Sequence, residues 1–140
     1  MKYKIISIYI ALTIGFVSSA SAAEKFFQAK DRLPKLAQNK VRLFIYRMRK
    51  FGVLSHPNVV LDNKMVWESE SGAVKYLDID PGKHTITISG NRFSFFSKSG
   101  ETKFINLGVK PGDWTNTFNP QLVSRQYGES NIHDLDLVGL

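Results

Sequence analysis

One segment constrains the fold more than any other. Asp80-Pro81-Gly82-Lys83 runs directly into His84-Thr85-Ile86-Thr87-Ile88, a turn feeding a strict polar/apolar alternation. Pro81 presets φ near about −65°, and Gly82 accepts positive φ without steric cost, which is what a type II turn demands. A period of two is a strand with one face buried. The same grammar recurs along the chain. Val41, Leu43 and Ile45 alternate with Arg42, Phe44 and Tyr46, a strand expected to be covered at least partly on both faces. Val59–Leu61 and Met65–Trp67 flank Asp62-Asn63-Lys64, whose first two residues tolerate positive φ, so a hairpin is expected. Ala73–Ile79 alternates again. Phe93–Ser97 and Thr102–Leu107 are expected to form a hairpin across Lys98-Ser99-Gly100, and a second Pro-Gly turn at Pro111-Gly112 precedes strands over Trp114–Phe118 and Leu122–Tyr127. About seven or eight short strands with a turn signal roughly every 8–12 residues predict an all-β, antiparallel β-sandwich.

The chain has 140 residues, which supports one domain. Its organisation reads as a signal peptide over 1–22, an arm or short helix over 23–39, the sandwich over 40–127 and an acidic tail over 128–140. Lys2 and Lys4 open the sequence, Ile5–Val17 is apolar, and Ala20-Ser21-Ala22 gives the small-residue cleavage pattern. The apolar run is shorter than the roughly 20 residues that span a bilayer, so cleavage after Ala22 or Ala23 and a periplasmic or secreted product without a membrane span are expected. Loss of Lys2 and Lys4 takes the formal net charge from +7 to +5. In the arm, Phe26, Ala29, Leu33 and Leu36 share a helical face, with Pro34 interrupting it.

The chain contains no Cys. That excludes a disulfide framework, a thiol nucleophile, Cys-ligated zinc and lipid attachment at a Cys. His56, His84 and His133 have no ligand spacing between them, so no metal or other cofactor is expected. No Ser lies in G-x-S-x-G or S-x-x-K. Asp78 and Asp80 are two apart on one strand, but Asp80 is accounted for by the turn before Pro81. No catalytic residue is therefore assigned.

Charge is the strongest remaining signal. Between Lys25 and Lys50 the chain places nine Lys and Arg against Asp31 alone. The plainer reading is a solvated face. The functional one is an anion-binding patch built from Lys40, Arg42, Arg47, Arg49 and Lys50, facing an anionic envelope surface or an acidic envelope protein. Export and the lack of a nucleic-acid-binding motif point away from nucleic acid. Phe93 and Phe95 share one strand face, with Phe96 on the other. Trp67 and Trp114 are expected as core anchors rather than carbohydrate platforms. The predicted core is Val41, Leu43, Ile45, Val60, Val66, Leu77, Ile86, Ile88, Phe104, Ile105 and Trp114.

Three motifs carry a resemblance. Val41-Arg42-Leu43-Phe44-Ile45-Tyr46-Arg47 is similar to a first strand ending in a Tyr-Arg pair, Val59–Lys64 to a V-x-V-D-G-K hairpin, and Tyr76–Ile86 to an L-x-P-G-x-H-x-I turn. Together, over about Val41 to Phe118, they resemble the bacterial envelope family known as domain of unknown function 2846, and more widely small transthyretin-like β-sandwich modules. Many members are lipoproteins, from which this chain departs by lacking the acylated Cys; Asn63 stands where the hairpin glycine usually is. The resemblance implies an envelope location and brings no catalytic residue. The expected function is a non-enzymatic binding or structural accessory module. The alternatives are a subunit of a larger envelope or secretion assembly, and a hydrolase with dispersed catalytic residues.

Overall fold

The computed structural model describes residues 23–50 and 52–139; the segment read as a signal peptide lies outside them. The elements are β1 (Glu24–Lys25), α1 (Phe26–Ala29), a 3₁₀ turn (Lys30–Arg32), β2 (Val41–Tyr46), β3 (Asn58–Leu61), β4 (Lys64–Glu68), β5 (Ala73–Ile79), β6 (Gly82–Ile88), β7 (Asn91–Ser97), β8 (Thr102–Lys110), β9 (Thr117–Val123), α2 (Arg125–Ile132) and β10 (Asp136–Val138). A six-stranded sheet, β1-β10-β5-β2-β8-β9, faces a four-stranded sheet, β4-β3-β6-β7. The fold is an all-β sandwich, with the two short helices laid on the outer face of the larger sheet.

Two cores result. Between the sheets, Leu43, Ile45, Val59, Trp67, Ile86, Ile88, Ile105 and Phe118 pack together. On the outer face, Phe44, Tyr46, Val74 and Phe104 are covered by Ala29, Ile132, Leu135 and Leu137. Alternation along β2 serves both: Leu43 and Ile45 point inward, Phe44 and Tyr46 outward, and all six strand residues are buried. Each fully buried Leu, Ile, Val or Phe contributes about 1.5–3 kcal/mol.

Several expectations change. The four-stranded sheet is antiparallel throughout, but β2–β8 and β10–β5 run parallel. The whole second sheet lies between β2 and β8 in sequence, so the chain re-enters the first sheet at the end it started from. β7 pairs with β6, not with β8. Ser89 (φ 47°) and Gly90 (φ 80°) supply the left-handed pair that a two-residue hairpin requires, while Lys98–Glu101 crosses between sheets, with Gly100 N donating to Lys40 O at 2.9 Å. Asp62 (φ 48°) and Asn63 (φ 67°) make the expected hairpin turn between β3 and β4. At Pro81 the chain bends from the larger sheet into the smaller one rather than closing a hydrogen-bonded turn, with Gly82 at φ 124°.

Among predicted core residues, Val41, Leu43, Ile45, Ile86, Ile88, Phe104 and Ile105 are buried. Val60 is half-buried, because Val59 and Leu61 take the inward positions; Val66 sits at a register shift opposite Val59/Val60 and packs with Trp67 against the core. Trp114 is 97% exposed, in the loop after β8 rather than in a strand. Leu122–Tyr127 divides between the end of β9 and α2, capped by Ser124 Oγ, which accepts from Tyr127 N at 3.3 Å. Residues read as an acidic tail supply the end of α2 and β10, which lies between β1 and β5. Among the described residues no helix is long and apolar enough to cross a membrane.

Candidate functional site

The five basic residues singled out by sequence do not meet. The six residues of β2 separate Lys40 from Arg47 by about 23 Å along the strand, and β2 ends before Arg47 and Arg49, so they share no strand face. Lys40 Nζ bonds Asp80 Oδ1 at 2.6 Å at the Pro81 bend. Arg49 lies over Gly72 and reaches Asp136 Oδ2 at 3.0 Å, tying β10 down. Lys50 is exposed. Arg47 is fully buried and faces no carboxylate among the described residues. Its guanidinium donates to the carbonyls of Gly52 (2.7 Å), Ser55 (2.8 Å) and Ser69 (3.2 Å) and lies 5.0 Å over the Phe118 ring. Burial lowers its pKa. Arg47 is a structural clamp.

Arg42 is placed differently. It faces outward on β2 opposite Asp78 of β5, which its Nε and Nη2 grip at 2.8 and 2.7 Å, with Tyr76 5.2 Å beneath. The hydrogen bond to Asp78 raises its pKa and outweighs the opposing effect of burial. The residue is only 9% exposed, yet Nη1 has no protein partner among the described residues. Beside it a cavity of about 430 Å³ opens between the outer sheet face and the helices.

Strand register builds the floor of this pocket. The parallel β2–β8 pair sets Arg42 beside Thr102 and Phe44 beside Phe104, whose rings stack at 5.2 Å. Phe26 of α1 meets Phe44 edge-on at 5.4 Å. The walls carry polar and charged side chains: Lys30 from the 3₁₀ turn, and Arg125, Glu129 and His133 from α2 and its C-cap. Spacings of four and four put those three on one helix face. Glu129 is the one acid lining the pocket, and Arg125 Nε holds it at 2.7 Å. Lys30 has no carboxylate partner among the described residues, and His133 stacks on Phe27 at 4.9 Å. The wall can come this close because Gly128 sits where a Cβ would overlap the Phe104 ring, and Asn131 Nδ2 donates to Tyr46 Oη at 2.8 Å. An aromatic floor under a rim of cations is complementary to an anion with an apolar body.

Of the residues lining this pocket, Arg42 and Lys30 belong to the basic run of the sequence and His133 stood out there only as a possible metal ligand; Arg125 carries no signal beyond its helical spacing to Glu129 and His133. His84 bonds on both sides, Nδ1 2.5 Å from Asp62 Oδ2 and Nε2 2.6 Å from Asp80 O, so neither ring nitrogen is free for a nucleophile's proton. Among the described residues no three His, Asp or Glu side chains converge on a metal site. Comparison with protein-family models, characterised proteins and solved structures gives no match to the chain.

Proposed function

We propose that this chain is an exported, non-enzymatic binding module of the bacterial envelope, and that its outer-face pocket holds an anion carrying an aromatic or alkyl body. One observation carries the reading: Arg42, nine-tenths buried and held by Asp78, keeps donor capacity beside a pocket floored by Phe26, Phe44 and Phe104 and rimmed by Lys30, Arg125 and His133. Asp78 already fixes the guanidinium, so little rotamer entropy is left to lose when Nη1 donates to a ligand. The envelope setting rests on the amino-terminal signal pattern and on the resemblance of the β2, β3–β4 and Pro81 motifs. The hydrolase alternative draws less support, because His84 spends one ring nitrogen on Asp62 of the β3–β4 turn and the other on the Asp80 carbonyl at the Pro81 bend.

The test is displacement of anilinonaphthalenesulfonate from the purified protein. Decanoate is expected to compete and decanol to compete poorly, because only decanoate offers the guanidinium a charge. Equal competition by both would reduce the site to an apolar crevice.

A further inference from the structure

We propose that a second site, at the loop end of the sandwich, binds a neutral oligosaccharide, with Trp114 as its stacking platform. It shares no residue with the anion pocket. Three loops converge there: Ser55 from the loop after β2, the Ser89–Asn91 hairpin tip, and Trp114–Asn116 leading into Thr117 of β9, around a cavity of about 600 Å³.

The side chains select the ligand class. None of the eight lining residues is charged, in a chain with 19 Lys and Arg and 12 Asp and Glu. An anion or cation entering this cleft finds no counter-charge among its lining residues. Hydroxyls and amides dominate instead, from Ser55, Ser89, Asn91, Thr115, Asn116 and Thr117. These groups both donate and accept hydrogen bonds, as sugar hydroxyls do. Trp114 adds a flat apolar plane that is 97% exposed, whereas Trp67 is packed in the core at 6%. A pyranose ring offers the matching pair of surfaces, an apolar C–H face and a hydroxylated edge.

The side of the cleft opposite Trp114 is braced before any ligand arrives. Arg47 fixes the carbonyls of Gly52 and Ser55 and lies over Phe118, and Asn91 Nδ2 donates to Phe118 O at 2.6 Å. Walls fixed in this way lose less freedom on binding. The competing occupant is a lipid surface, since Val53 and Leu54, 59% and 94% exposed, border the adjoining depression.

Acrylamide quenching of tryptophan fluorescence decides between them. Trp67 and Trp114 are the only tryptophans, and the buried one is a shielded internal reference. Chitotetraose, cellotetraose and maltotetraose are added at millimolar concentration. At least one is expected to protect Trp114 and shift its emission to the blue. By isothermal titration calorimetry, which needs no tryptophan reporter, Trp114→Ala should weaken that binding at least about tenfold, and Asn116→Ala should weaken it with the Trp114 fluorescence signal retained. The melting temperature of Trp114→Ala should match wild type, because the side chain packs against so little. Protection by none of the three sugars overturns the proposal, as does undiminished binding by Trp114→Ala. A blue shift on phosphatidylglycerol vesicles without any sugar effect would assign the surface to lipid.

Discussion

Arg47 shows how far a charged residue's fate can lie from its local sequence. The carbonyls that receive its guanidinium belong to residues 5, 8 and 22 positions away, and Nε stays sealed and unbonded. A basic run therefore read as a surface feature contains a buried clamp, and only the loop path after β2 decides it. Replacing Arg47 with Ala strands buried carbonyls and should cost about 2–4 kcal/mol in chemical denaturation; Arg47→Lys, which lacks the planar fork, should recover only part of that. Trp114 failed as a core residue for the converse reason, because an aromatic in a loop carries no periodicity to show which way it points. Inward positions such as Leu43, Ile45, Ile86 and Ile88 were legible because alternation encodes burial directly. Asp62 makes a pH prediction. Partial burial pushes its pKa up, but bonds from His84 and Thr85 N more than offset this and hold it below the usual carboxylate value. A depressed folded-state pKa stabilises above the unfolded value of about 3.9 and is lost as pH falls through the folded one. Asp62→Asn should therefore flatten the loss of stability below about pH 4 in acid titrations followed by circular dichroism; an unchanged acid limb would contradict the role given to this pair.

At the level of elements, hairpin β3–β4 was legible because Asp62-Asn63 is a local signal, and the β6–β7 hairpin was missed because Ser89 is an unusual residue for a left-handed position. Parallel pairing of β2 with β8 depends on where the chain re-enters the sheet, which no local pattern states. Helix α2 escaped because Gly128 and Asn131 weaken its propensity, yet Gly128 is what allows the helix onto Phe104. Gly128→Ala should gain in propensity and lose more by overlap, a net destabilisation of about 1–3 kcal/mol by thermal melting. The same substitution should weaken decanoate binding by tilting Arg125 and His133 off the pocket. A melting temperature at or above that of wild type would show that α2 does not seat as described.

For the whole molecule, the sandwich separates two kinds of surface. The outer face of the larger sheet gathers cations over aromatic rings, and the loop end gathers hydroxyls and amides around an exposed tryptophan. The basic run suggested an anionic partner, and the pocket proposed for one lies elsewhere than the run implied, because β2 holds Lys40 and Arg47 apart while α2, remote in sequence, brings Arg125 and His133 to the pocket lined by Arg42 and Lys30. The most direct measurement of the central claim is a decanoate titration followed by backbone amide chemical shifts. Shifts should move together at residues 30–33, 42–44, 102–104 and 125–133, stay still at 52–55 and 114–118, and weaken as salt rises, since exposed charges are screened beyond about 8 Å at physiological ionic strength. A Lys30→Gln/Arg125→Gln variant should keep the fold and lose most of the response. Shifts centred elsewhere, or a response indifferent to salt and to that variant, would contradict the account.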